Sequence, residues 1–95
     1  MLDAGTKWIL TPYGGGEEKQ IEIEEENGEN FFMLNGKRFV YNSQTKRYEA
    51  DDNSGEYYVF HLLGEKNGRK VGTYEHGWGL GSPEEGSLVQ VIDPI

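Results

Sequence analysis

The chain has 95 residues, a formal charge of −8, two histidines and no cysteine. That length makes a single domain spanning 1–95, and the missing cysteine excludes disulfides, thiolate metal sites and a cysteine nucleophile. The acidic field opposes nucleic acid and anionic lipid, and no apolar run is long enough to cross a membrane as a helix.

Thr6 to Thr11 reads as a first strand, stopped by Pro12 and the Gly14-Gly15-Gly16 run. Gln20 to Glu26 follows, then Asn27-Gly28, the first of three Asn-Gly pairs; the others are Asn35-Gly36 and Asn67-Gly68. Asn-Gly suits a two-residue type I′ turn, because both central residues need φ > 0 and the twist matches a β-hairpin. The first turn sets Ile23 opposite Phe32 and Ile21 opposite Leu34; the second sets Phe32 opposite Phe39. A longer loop over Ser43 to Lys46 pairs Tyr41 with Tyr48 and Phe39 with Ala50. Side chains alternate along a strand, so Ile21, Ile23, Phe32, Leu34, Phe39 and Tyr41 share one buried face.

On the other face, Glu22, Met33 and Arg38 form one cross-strand row, and Glu24, Phe31 and Val40 form the next. Phe31 and Val40 are an apolar pair on a face expected to be wet: either the chain covers them or they belong to a binding patch. Asp51 to Gly55 has turn chemistry. Glu56 to Leu63 is nearly continuous in Tyr, Val, Phe and Leu, which predicts a strand buried on both faces. Asn67-Gly68 returns the chain along Arg69 to His76, and Ser87 to Ile92 is the last strand. Ser82-Pro83-Glu84-Glu85 carries helix-start signals, and Gly86 stops it at one turn. The expected fold is all-β: a small antiparallel barrel or sandwich of seven to eight strands joined mainly by hairpins, with at most one helical turn near 82–86.

Residues that carry chemistry are few. The Asn67-Gly68 register sets His61 opposite Tyr74 and Val59 opposite His76, placing both imidazoles diagonally on one face, about 7–8 Å apart at Cα. Two histidines can begin a metal site, but Zn²⁺ takes three or four ligands, so no metal or other cofactor is expected. His61-x3-Glu65-x6-Gly72 resembles the tail of the cupin metal motif, with Val59 where that motif has a histidine. Gly5-Thr6-Lys7-Trp8 resembles the Gly-x-Trp of lipocalins and the Gly-Thr-Trp of avidins, with an intervening residue that turns Trp8 differently. Gly77-Trp78-Gly79-Leu80-Gly81 lacks the lysine and hydroxyl of a phosphate loop, and Glu84 and Glu85 follow it. Trp78 is either a loop-borne binding anchor or a plug for one end of the barrel.

Residues 1–34 hold two lysines against eight acids. With no catalytic set in view, the expectation is a non-catalytic acidic protein, not an enzyme, that docks on a basic protein partner. Such a protein would be an inhibitor, an immunity-type factor or a mimic of nucleic-acid charge. Its partner-binding residues would be Glu22, Glu24, Phe31, Val40 and Trp78. The alternative is a small-ligand barrel using Trp and Tyr side chains at its mouth. The N-terminus shows no basic and apolar signal-peptide pattern, which, with the absence of cysteine, suggests a cytoplasmic setting.

Overall fold

A computed structural model describes residues 1–79 and 81–92; Leu80, in the glycine-rich loop, falls outside them. Nine strands follow one another: β1 (Lys7–Pro12), β2 (Lys19–Glu22), β3 (Glu24–Glu26), β4 (Glu29–Leu34), β5 (Lys37–Asn42), β6 (Arg47–Ala50), β7 (Tyr57–Lys66), β8 (Arg69–Gly77) and β9 (Glu84–Val91). They form one antiparallel sheet in the order β2-β1-β9-β8-β7-β6-β5-β4-β3, curled into a nearly closed barrel. The strand count is close to the seven or eight expected.

All three Asn-Gly pairs take the left-handed backbone of a type I′ turn, with φ of 52° and 81°, 54° and 75°, and 56° and 78°. The registers they dictate hold in the middle of the sheet. Phe32 pairs with Phe39, Leu34 with Lys37, Tyr41 with Tyr48 and Phe39 with Ala50. Ile21, Ile23, Phe32 and Phe39 are buried, and Leu34 and Tyr41 pack against them. Trp8, Leu10, Tyr48, Tyr58, Tyr74 and Leu88 complete the core, so the barrel interior is filled by its own side chains.

The segment expected as one strand from Gln20 to Glu26 divides at Ile23. Ile21 pairs with Trp8, not with Leu34. The Ile23 amide donates to Thr6 O and its carbonyl accepts from Gly5 N–H. Gly5, at φ +86°, then turns the preceding chain away, so β3 has only β4 to pair with. The strand thereby changes partner, and that change joins the two ends of the sheet.

Beyond Gly5 the chain enters the barrel end. Leu2 is buried, and its N–H donates to the Tyr48 hydroxyl. That hydroxyl donates to Asn30 Oδ1, and Asn30 Nδ2 donates back to Leu2 O, which closes a ring of three hydrogen bonds. Burying a leucine stabilises by about 1.5–3 kcal/mol, and each satisfied bond adds about 1 kcal/mol. Burial also pushes the Tyr48 hydroxyl pKa up to about 12.

Two further expectations are corrected. Residues 82–86 make no helical turn: Glu84 and Glu85 already belong to β9, paired with His76 and Glu75. Gly86 lies flat beneath the Tyr74 ring, where a Cβ would come within 2.5 Å of it, so this stretch must stay extended. The distal half of β7 is not buried on both faces either. Residues 61–69 are all exposed, with Leu62 at 46% and Leu63 at 73%. β6 pairs with β7 only at Tyr57 and Tyr58, so the β7–β8 hairpin runs past the wall as an arm.

Candidate binding site at the barrel mouth

The turn at 35–36 and the loops at 13–18, 51–55 and 78–83 gather at the end opposite Leu2, as the strand directions require. Lys37 at the start of β5, Asp52 in the 51–55 loop, Glu56 just before β7 and His76 near the end of β8 converge there. Lys37 Nζ lies 2.7 Å from Glu56 Oε1 and 3.1 Å from Asp52 Oδ2. His76 Nε2 lies 2.6 Å from Glu56 Oε2. A carboxylate only accepts, so Nε2 carries the proton of this bond, and Nδ1 has no partner among the described residues although it is buried. The imidazole stacks on Tyr58 at 4.1 Å and 5°, and Trp78 packs on it from outside at 4.1 Å. Three rings thus run from the core to the surface. Trp78 is 53% exposed and flanked by Gly77 and Gly79. Gly77 has no room for a side chain, because a Cβ would meet the Tyr57 hydroxyl at 2.6 Å.

His76 reaches Tyr58 through a feature that turn chemistry does not encode. A β-bulge between Leu62 and Gly64 shifts the β7–β8 register by one residue. His61 therefore pairs with Thr73 and Val59 with Glu75, while Tyr58 faces His76. The expected diagonal pair of imidazoles does not exist: His76 is buried at the mouth and His61 is exposed on the arm. The described residues contain no group of three His, Cys, Asp or Glu able to hold a metal, so the cupin-like spacing has no counterpart in the fold.

The expected docking residues do not converge. Glu22 and Glu24 are exposed on the outer wall, and Trp78 stands at the mouth. Phe31 is only 5% exposed: the Arg38 guanidinium lies 3.6 Å above its ring and is held there by Glu29 at 2.9 Å. Val40, paired with Phe31, is half-buried. Phe31 is therefore covered by its own chain and offers no open anchor. Sequence reasoning missed Lys37, Asp52 and Glu56, whose contacts depend on how the loops meet. It also missed the Leu2–Asn30 plug. Asn30 shared the inward parity of Phe32 and Leu34, a polar residue in an apolar row, and that was its signal.

A cavity of about 140 Å³ opens beside this network, lined by Lys19, Leu34, Asn35, Lys37, Phe39, Glu56 and Tyr58. A shallower groove of about 440 Å³ lies across the 51–56 loop, between Tyr57, Arg47 and Gly79. The chain matches no protein family, no curated protein and no solved structure.

The ion pairs make the fold sensitive to acid. Hydrogen bonds from Ser54 and then Lys37 lower the Asp52 pKa to about 2. Burial pushes Glu56 up, but the bonds from Lys37 and His76 outweigh it and its pKa is lowered. A depressed carboxylate stabilises the fold above its unfolded value, and that stability is lost as pH falls through the folded one. With reference values of 3.8 and 4.5, stability should decline from about pH 4.5 downward toward pH 2. Lys37→Met should flatten this acid limb in thermal melts. An unchanged slope would show that other carboxylates control it.

Proposed function

We propose that this protein is a non-catalytic acidic binding module that docks on a basic protein partner through its barrel mouth, with Trp78 as the aromatic anchor. The observation that carries this reading is the half-exposed Trp78 ring, held against buried His76, with Glu56 bonded to that imidazole and exposed Glu84 paired with His76 on the next strand. Exposed tryptophan backed by a rigid stack suits an interface hot spot, and surrounding carboxylates speed the encounter with a cationic surface. Glu22 and Glu24 contribute to that long-range field from the wall and do not form the contact. On the three residues of β3, all exposed, the acid run also discourages edge-to-edge strand pairing.

The test is capture of basic proteins from the native host lysate by wild type, Trp78→Ala and Glu84→Lys. Specific prey should elute as salt rises, and Trp78→Ala should weaken their binding by roughly 30-fold, the loss of about 2 kcal/mol expected of a hot spot. Prey held equally by Trp78→Ala would remove the mouth as the docking site. A second reading, small-ligand binding, draws on the mouth cavity. At about 140 Å³ it has room for an ion or a very small molecule, well below the roughly 300 Å³ at which drug-sized sites begin.

A further inference from the structure

The outer wall carries an apolar row that the mouth does not use. Ile9 pairs with Val89, Val89 with Val71, and Val71 with Gly64, so one row crosses β1, β9, β8 and β7. Buried Leu10, Leu88 and Tyr74 point inward from the same strands, which puts Ile9, Val89 and Val71 outside. All three are half-buried, and Leu63, beside Gly64 in the bulge, is 73% exposed. This wall is also where the chain is cationic. Lys66 and Arg69, paired with each other one row beyond Gly64 and Val71, alternate to the same outer side, whereas Lys70 alternates inward and its Nζ lies 3.8 Å from Asp3 Oδ2. Lys66 and Arg69 are exposed and make no ion pair among the described residues.

Half-way round the barrel, the wall has the opposite character. Counted round the nearly closed sheet, β7 and β8 each stand four strands from β3. There the outer row runs Glu24–Phe31–Val40–Glu49 across β3 to β6; the Arg38 guanidinium over Phe31 is neutralised by Glu29, which leaves Glu24, Glu49 and nearby Glu22 as the wall's acidic charge. An aliphatic row bordered on its arm side by Lys66 and Arg69 and a row ended by carboxylates thus occupy opposite sides of one molecule. We infer that the occupant of the aliphatic wall is the acidic wall of a second copy of this chain, so that the protein associates weakly and head to tail. Complementary charge selects this contact, and its two different surfaces make it heterologous. Because the surfaces lie on opposite sides, each added copy leaves one of each free, and open chains result in place of a closed dimer. The contact is separate from the mouth, so Trp78→Ala should leave it unchanged.

Sedimentation velocity from micromolar to about 1 mM protein tests this at about 0.15 M salt. There the Debye length of about 8 Å screens the repulsion between net charges while contact pairs persist. Wild type should form species that grow with concentration beyond a dimer. Arg69→Glu and Glu24→Lys, both at exposed positions, should melt like wild type and each weaken association at least tenfold. An equimolar mixture of the two should recover association, because each variant keeps one intact wall and the two reversed charges complement each other. A wild type that stays monomeric throughout overturns the inference, and doubly so if it then sediments with vesicles containing phosphatidylserine, which would assign the cationic wall to lipid. Association that survives Glu24→Lys overturns it in favour of a symmetric contact.

Discussion

Gly72→Ala should cost about 3 kcal/mol, the upper end for overpacking, and lower Tm by roughly 12–24 °C. A Cβ at this position would stand 1.9 Å from the His61 carbonyl oxygen, and a backbone atom in a ladder cannot swing aside as a side chain can. Gly72 faces Leu62 where the bulge begins, so relief requires the two strands to part or the bulge to move. Either change would pull Tyr58 away from His76 and unseat Trp78. Gly64→Ala is the matched control: it lies on the same arm with nothing within 4 Å of its Cβ, and it should melt within about 0.5 kcal/mol of wild type. Equal melting of the two variants would show that the bulge does not need a glycine at 72. Near-UV circular dichroism, which reports the ring stack, should change for Gly72→Ala alone.

Phe32→Ala should be as severe, at about 3–5 kcal/mol by denaturant titration. Phe32 is fully buried and stacks on Phe39 at 5.0 Å and 11°. Tyr48, Tyr58 and Phe60 close around it at 5.3, 5.5 and 5.9 Å. One truncation therefore opens a cavity bordered by four rings, and those rings are anchored in three strands and cannot all collapse into it. A domain of this size has only about 5–14 kcal/mol to lose. Phe31→Ala removes the same side chain one residue earlier, but from the outer wall beneath Arg38, where the guanidinium and solvent can settle into the space. It should cost less than half as much. Comparable losses for the two phenylalanines would mean that the wall, and not the barrel interior, holds the fold.

The contrast between these neighbours was legible in the residue order. Three Asn-Gly turns need φ > 0 at both positions, which leaves one register for β3–β4 and β4–β5, and period-two alternation then assigns Phe32 inward and Phe31 outward. A longer loop between Tyr41 and Tyr48 extended the same logic to β6, and it held. These are local rules, acting over a few residues.

Tertiary structure decided the rest, wherever a residue had to satisfy neighbours distant in sequence. Asn67-Gly68 formed its turn as expected, yet the bulge at Leu62–Gly64 moved every pairing beyond it by one, bringing His76 onto Tyr58 and leaving His61 outside. Turn chemistry controls the register only as far as the first irregularity. Ile23 changed partners because Gly5 turned the chain into the barrel end, and Leu2 found Tyr48 and Asn30 across separations of 46 and 28 residues. The mouth cluster likewise joins Lys37, Asp52, Glu56 and His76 from four loops and strands that only barrel closure brings together. Local backbone preference determined the hairpins and the inward face of this protein. Which polar groups meet at its two ends was decided by closure of the sheet, because burial at an end requires each donor to find an acceptor wherever the folded chain supplies one.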